Sequence, residues 1–264
     1  MNDDLDLALT IARGAGEILL EGRERLTSLA VAYKGLRDPV TEIDRASEDY
    51  LRAEIARERP GDRFLGEEGG EREGGTGERL WIVDPLDGTV NFMHGHPVFC
   101  VSIALTVAGR VEAGVVHAPR MRETFWATRG RGAFCDGKRL RVSPEADLAG
   151  AVLATGFAYN RGEAGKQTNL DNFSRLTMAS QGLRRMGAAA LDLAYVAAGI
   201  YDGFWELYLS PWDVAAGALL IEEAGGRVTD FGGGDGWLFG KNILATNGRI
   251  HGAVAAHLTP FRCR

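Results

Sequence analysis

The chain has little of what marks secreted or membrane proteins. It has 264 residues but only three cysteines, and Cys100, Cys135 and Cys263 lack any metal-ligand spacing. This odd, low count favours a reducing compartment over a disulfide framework. No apolar run approaches the roughly 20 residues that span a bilayer, and the acidic start, Met-Asn-Asp-Asp-Leu-Asp, lacks the layout of a secretory signal. We therefore expect a cytoplasmic protein with no membrane partner.

Basic charge and nucleotide-binding motifs are also scarce. The net charge of −6 argues against nucleic-acid binding, which needs a basic face, and the pair Arg184-Arg185 is predicted to be solvated strand charge. The five histidines, including His94 and His96, have no partner cysteine pair, which disfavours a zinc site. The glycine-rich segment 231–236 lacks the Lys-Ser/Thr ending of a nucleotide P-loop and is predicted to be a turn.

The apolar content, 45% of the chain, suffices for one large domain or two modest ones. Amphipathic periodicity predicts helices over 5–20 and 44–59, followed by a strand meander and a hairpin turning at Asp136-Gly137. Residues 145–150 have the composition of a boundary, and strands and helices alternate after them. We therefore predict an α+β half at 1–146, which carries most of the site residues, and an α/β half at 147–264 that completes the site.

The most informative segment is residues 80–89, Leu-Trp-Ile-Val-Asp-Pro-Leu-Asp-Gly-Thr. A buried strand delivers Asp84 and Asp87 to a Pro- and Gly-marked turn. Two such carboxylates repel each other unless a cation lies between them, and clustered carboxylate oxygens suit magnesium. The backbone N–H groups of Gly88 and Thr89 could hold an anion. The alternative is that both acids are ordinary turn formers.

Three other acidic positions have comparable settings. Glu67 follows a short apolar run and precedes glycines, Asp44 lies at the start of a predicted helix, and Asp213 follows Pro211-Trp212 before another helix. Asp44 and Asp213 could instead be helix N-terminal acids favoured by the helix dipole. Glu67 and its neighbour Glu68 could be solvated loop charge.

In combination, these segments resemble the inositol monophosphatase family of magnesium-dependent, lithium-sensitive phosphatases. The matching segments occur in the family's order and span nearly the whole chain: Asp-Pro-Val-Thr-Glu-Ile-Asp (38–44), Gly-Glu-Glu (66–68), Trp-Ile-Val-Asp-Pro-Leu-Asp-Gly-Thr-Val-Asn-Phe (81–92), Gly-Arg-Gly-Ala-Phe (130–134), Met-Gly-Ala-Ala-Ala-Leu-Asp (186–192), Pro-Trp-Asp-Val-Ala-Ala-Gly-Ala (211–218) and Glu-Ala-Gly-Gly (223–226). The resemblance implies a layered αβαβα sandwich of the sugar-phosphatase type, with the active site between the two halves and a homodimeric assembly.

The resemblance also implies a set of site residues and two to three Mg²⁺ ions. The metal ligands it implies are Glu67, Asp84, the Leu86 carbonyl, Asp87 and Asp213, with Asp84 bridging and Glu67 reaching a weaker third ion through water. The catalytic residues are Thr89 and Asp44, which would orient and deprotonate the water, together with Glu67. The substrate-binding residues are Asp87, Gly88, Thr89, Ala189, Glu206 and Lys34, although the spacing from Lys34 to Asp44 is about one residue shorter than in the family.

The expected substrate is a small phosphate monoester. We take myo-inositol 1-phosphate as the leading candidate, with fructose 1,6-bisphosphate, histidinol phosphate and nucleotide 3′-phosphates as alternatives. Glu206 would read substrate hydroxyl groups, or be a surface acid at a strand end. Tyr208 and Ser210 depart from the usual small residue and cationic or imidazole residue at the pocket rim. A haloacid-dehalogenase-like phosphatase is disfavoured because two residues, not one, separate Asp84 from Asp87. A non-catalytic module that binds protein or RNA is the alternative of another class.

Overall fold

The computed structural model describes residues 3–25, 31–35, 38–72, 77–159 and 166–261. Within these residues, no helix is long and apolar enough to cross a bilayer. The helices are α1 (Asp3–Arg23), α2 (Glu42–Glu58), α3 (Thr89–Met93), α4 (Leu170–Ala179), α5 (Ala189–Ala197), α6 (Pro211–Glu223) and α7 (His251–Ala255).

The strands form one large sheet, one smaller sheet and a two-stranded hairpin. The hairpin pairs β1 (Val31–Gly35) with β2 (Asp38–Thr41). The large sheet contains β3 (Arg63–Gly66), β4 (Gly70–Arg72), β5 (Arg79–Asp87), β6 (Cys100–Val107), β7 (Arg110–Ala118), β8 (Glu123–Thr128), β9 (Gly132–Cys135) and β10 (Lys138–Arg139), in the spatial order 10-9-8-7-6-5-3-4. The smaller sheet contains β11 (Val152–Thr155), β12 (Gly182–Arg184), β13 (Gly203–Leu207), β14 (Arg227–Thr229) and β15 (Asn242–Thr246), in the order 12-11-13-15-14.

The elements stack in five layers. Helices α1 and α2 cover one face of the large sheet, α5 and α6 lie between the two sheets, and α4 and α7 cover the far face of the smaller sheet. Each interface has its own apolar core, and the largest joins residues from both sheets, such as Ile82 and Ile243, to α5 and α6. The αβαβα sandwich is therefore confirmed.

The meander, its hairpin turn and the alternation of strands and helices follow the predicted pattern. The structure differs from the pattern in the direction of one strand of the smaller sheet and in three strands that were not predicted. The β9–β10 turn has positive φ at Asp136 (46°) and Gly137 (82°), as a two-residue hairpin turn requires. In the smaller sheet, β12, β11 and β13 are parallel, but β15 runs antiparallel to its neighbours, so this half is mixed and not purely α/β. The pattern did not predict strands β1, β2 and β4, of which β2 and β4 are short and mostly polar. The division at residue 146 stays a prediction.

Candidate active site

Parallel pairing brings Glu67 beside Asp84. Strand β3 pairs with β5 in parallel, and its last residue, Gly66, aligns with Val83. Glu67 directly follows Gly66 and Asp84 directly follows Val83, so the two acids are neighbours. The two carboxyl groups are close enough for Glu67 to raise the pKa of Asp84. The Asp84 carboxylate also accepts the Leu86 N–H at 3.0 Å, which fixes the turn that follows. The apolar β5 run therefore buries Asp84 to 1% exposure next to a second acid.

The end of β5 connects the large sheet to α5. Asp87 accepts the N–H groups of Ala189 at 3.2 Å and Ala190 at 2.8 Å. Gly88 then adopts φ 93°, and an added Cβ would lie 3.0 Å from the Val98 carbonyl oxygen, so a glycine is required there. Helix α3 begins at the next residue, which places the Gly88 and Thr89 amides in its first turn.

Helix α2 brings Asp44 to this turn. The Thr89 hydroxyl lies 3.0 Å from Asp44 Oδ1 and 3.1 Å from the Leu86 carbonyl oxygen. Asp44 also accepts the Thr41 N–H at 2.8 Å, within a capping box that starts α2. The helix-terminal role and the contact with Thr89 therefore coexist, with Oδ2 serving the cap and Oδ1 facing Thr89.

Asp213 is fixed in the same way on α6. It accepts the Ser210 N–H at 2.6 Å in a second capping box. The Ser102 hydroxyl, on the strand paired with β5, donates to the Trp212 carbonyl at 3.0 Å and ties the start of α6 to the large sheet. Asp213 is thus both a helix-terminal acid and a neighbour of the β5 acids.

Burial and electrostatic repulsion both disfavour the charged forms of the acids in this cluster. Burial, followed by the charges of Glu67, Asp87 and Asp213, raises the pKa of Asp84 well above its ordinary value, and all five of its strongest influences act in that direction. Burial, then Glu67 and Asp87, likewise raises the pKa of Asp213 well above its ordinary value. Burial raises the pKa of Asp87 to about 6 against the opposing hydrogen bonds from α5. Bound cations relieve such repulsion.

The donor set suits a hard divalent cation, since Glu67, Asp84, Asp87, Asp213 and the Leu86 carbonyl offer oxygen atoms alone. Across the described ranges, however, no group of three or more His, Cys, Asp or Glu side chains is arranged to hold a metal ion. The ligand set that the resemblance implies stays a prediction. Asp84 and Asp87 each accept backbone N–H groups, which fixes the orientation of their carboxylates, as is usual for carboxylates that bind metal ions.

Glu206, the predicted alcohol-binding acid of the second half, lies close enough to Asp87 for their charges to interact. Glu206, on β13, is 7% exposed, so the surface-acid interpretation is wrong. Its carboxylate lies over Gly156, where an added Cβ would stand 2.1 Å from Oε2. Burial raises the pKa of Glu206 to about 8, partly offset by the charge of Arg185. Lys34 lies in β1, and its side chain is outside the described residues.

The raised pKa of Glu206 makes stability depend on pH. The unfolded chain releases this proton near pH 4.5 and the folded chain near pH 8. Between these values the native state binds more protons, so the free energy of unfolding falls as pH rises through this window. We expect Glu206→Gln to raise the melting temperature of metal-free protein by a few degrees at pH 8.5 and to have little effect at pH 4.5. Thermal melts beside the exposed control Glu21→Gln check this, and an equal shift at both pH values would contradict it.

Three buried polar residues near the candidate active site were not predicted from the sequence. Glu48 and Ser47 lie on the buried face of α2, and Asp192, 2% exposed on α5, has an unpartnered Oδ1. Burial, followed by Glu206 and Asp87, raises the pKa of Asp192 well above its ordinary value. For Glu48, the sequence did contain one indication of burial: this acid lies on the same helix face as the apolar residues Leu51 and Ile55.

Comparison with known proteins identifies the family. The model of the inositol monophosphatase family matches residues 1–260. The chain is 48% identical to "Nus factor SuhB" of Pseudomonas aeruginosa, covering 98% of this chain and 97% of the relative. It is 45% identical to the inositol-1-monophosphatase of Mesorhizobium japonicum, covering 95% of this chain and 94% of that relative.

Solved structures agree with this similarity. The extragenic suppressor protein SuhB of Bartonella henselae superposes with a TM-score of 0.92 at 42% identity, over 97% of this chain and 98% of that one. An IMPase/NADP phosphatase solved with Mg²⁺ and phosphate has a TM-score of 0.82 at 25% identity, over 96% and 95% of the two chains. A staphylococcal inositol monophosphatase-1, solved as a LiCl-soaked inhibitory complex, has a TM-score of 0.83 at 25% identity, over 96% and 94%. The chain therefore belongs to the inositol monophosphatase family and is a phosphatase enzyme.

Proposed function

We propose that this protein hydrolyses the phosphate monoester of a small polyol, with myo-inositol 1-phosphate as the leading substrate, in a Mg²⁺-dependent reaction. The observation that carries the proposal is the group of mutually repelling acids that separate elements bring together: the buried Asp84 and Asp87 with the half-buried Glu67 and Asp213. The relative named inositol-1-monophosphatase supports the substrate class.

Magnesium would be held by these four acids and the Leu86 carbonyl, with two to three ions in all. When bound, it would neutralise the phosphate charge and lower the pKa of water. The neighbouring structure solved with Mg²⁺ and phosphate supports this choice of cation. Lithium sensitivity comes to this chain as part of the same proposal, supported by the staphylococcal inhibitory complex.

The pair Thr89 and Asp44 would activate the attacking water. With its proton directed to Asp44 Oδ1 at 3.0 Å, the Thr89 oxygen can accept a hydrogen bond from water, and the water proton can pass through Thr89 to Asp44. Burial raises the pKa of Asp44, which makes this carboxylate a better proton acceptor near neutral pH. Glu67, beside Asp84, would help to orient the same water.

The remaining residues would bind the substrate. The Gly88 and Thr89 N–H groups would hold the phosphate, with Lys34 as a nearby positive charge. Asp87, the Ala189 backbone and the buried Glu206 carboxylate would contact the alcohol.

Phosphate release from a panel of monoesters, ranked by kcat/KM, tests the assignment. We expect myo-inositol 1-phosphate to rank above fructose 1,6-bisphosphate, histidinol phosphate and nucleotide 3′-phosphates, and no release from any of them would overturn the proposal.

Glu206 provides the test of alcohol recognition. Glutamine replaces one carboxyl oxygen of Glu206 by an NH₂ donor, so a substrate hydroxyl that donates to that oxygen is left without its acceptor. We expect Glu206→Gln to lower kcat/KM roughly tenfold for the polyol phosphate and much less for p-nitrophenyl phosphate, which has no polyol to read. Equal losses of kcat/KM on the two substrates would show that Glu206 does not recognise the hydroxyl groups of the polyol.

A second candidate is a role beside catalysis, as a factor that contacts protein or RNA. The name "Nus factor SuhB" of several relatives favours it, and Arg184 and Arg185 are exposed. Titration of the protein into fluorescently labelled RNA, at several salt concentrations, separates this role from catalysis. The homodimer, the cytoplasmic location and the absence of a nucleic-acid partner stay predictions.

A further inference from the structure

Glu48 is a buried acid that the proposed reaction does not use. It lies on α2, one helical turn after Asp44, and is 2% exposed. Burying a carboxylate is costly unless hydrogen bonds and charge partners compensate for lost water. The contacts of this side chain therefore indicate what it stabilises.

Both oxygens of Glu48 bind the loop that follows β3. Oε2 accepts the Glu68 N–H at 2.7 Å, and Oε1 accepts the Gly69 N–H at 2.8 Å. These two amides directly follow Glu67. A carboxylate that accepts two N–H groups fixes the loop more firmly than a neutral acceptor would, because charge-assisted hydrogen bonds are stronger.

The glycines that flank the loop make this contact possible. A Cβ on Gly66 would lie 2.4 Å from Glu48 Oε2, and a Cβ on Gly69 would lie 2.8 Å from Oε1. Arg52, one turn further along α2, forms an ion pair with Oε1 and stacks over the Phe64 ring at 5.1 Å. The Gly-Glu-Glu-Gly sequence is thus shaped around the Glu48 carboxylate.

The same helix turn also holds the other side of the acid cluster. The Ser47 hydroxyl donates to the Pro85 carbonyl at 3.0 Å, between Asp84 and Asp87. One turn of α2 therefore contacts the Glu67 loop through Glu48, the β5 turn through Ser47 and Thr89 through Asp44.

We propose that Glu48 is a positioning residue that holds the Glu67 loop in place for divalent-cation binding, acting through the Glu68 and Gly69 amides. The inference rests on the proposed function, because it takes Glu67 as a metal ligand. Residues that orient metal ligands typically contribute about 10- to 100-fold to metal affinity.

The test compares Glu48→Gln with wild type and with the control variant Asp49→Asn. Asp49 is an exposed neighbour that also pairs with Arg52, and among the described residues no hydrogen bond joins its side chain to the Glu67 loop. Amide exchange in metal-free protein reports the two loop hydrogen bonds, and Mn²⁺ binding followed by electron paramagnetic resonance reports affinity without turnover. In Glu48→Gln we expect faster exchange at Glu68 and Gly69 and Mn²⁺ affinity weakened roughly tenfold or more. Asp49→Asn should match wild type in both.

Wild-type Mn²⁺ affinity in folded Glu48→Gln would overturn this inference alone. Wild-type protein that binds no Mn²⁺ would overturn the proposed function, and this inference with it. If Glu48→Gln does not fold, Glu48→Asp replaces it under the same criteria, because it keeps the charge but draws the oxygens back from the loop amides by one methylene.

Discussion

Asp84→Asn should abolish phosphatase activity while leaving the fold intact. Asparagine keeps the oxygen that accepts the Leu86 N–H but removes the charge at the centre of the acid cluster. Catalysis of phosphate hydrolysis depends mainly on charge stabilisation, so we expect kcat/KM to fall roughly 10³-fold or more. Phosphate release at saturating Mg²⁺ measures the loss.

Stability gives this variant a second, opposite readout. Because burial and three other acids raise the pKa of Asp84, its negative charge is unfavourable in metal-free protein. The metal-free melting temperature of Asp84→Asn should therefore equal or exceed that of wild type at pH 8, whereas Asp171→Asn, an exposed acid at the start of α4, should change neither property. Retention of one tenth of wild-type activity would contradict the assignment of Asp84.

Asp44→Asn should separate the two roles of this side chain. Asparagine preserves an acceptor for the Thr41 N–H, so the α2 cap and the fold should survive. The proton acceptor for Thr89 is lost, and removal of a general base typically costs roughly 10²- to 10⁴-fold in rate. We expect kcat to fall within that range with little change in KM, measured by steady-state phosphate release.

The matched control is Glu42→Gln, an exposed acid in the same first turn of α2. It should leave kcat, KM and the melting temperature close to wild type. If Asp44→Asn lost only stability and kept its kcat, Asp44 would serve the helix cap alone.

Much of the fold could be predicted from periodicity. The long apolar run before Asp84 and the amphipathic pattern of α1 gave their elements to within a few residues, since burial on one face imposes a regular spacing. The orientation of β15 could not be predicted, because strand direction depends on connections and partners across the sheet. The site residues came from the family resemblance and from acids placed at element ends.

The contacts between elements were hidden from the sequence. Nothing in the order of residues indicates that Glu48 meets the amides after Glu67, or that Asp87 meets those of α5. The capping boxes at Thr41 and Ser210 could be predicted as helix starts, but their coincidence with the acid cluster could not. Such contacts depend on packing between layers, which short-range patterns do not encode.

The most direct test of the metal-centred assignment is Mg²⁺ titration of chelator-stripped protein with myo-inositol 1-phosphate, followed by phosphate release. We expect no turnover in the stripped protein, saturable recovery with added Mg²⁺, and no recovery in Asp84→Asn at any concentration. Turnover that is unaffected by removing and restoring Mg²⁺ would contradict the proposed function.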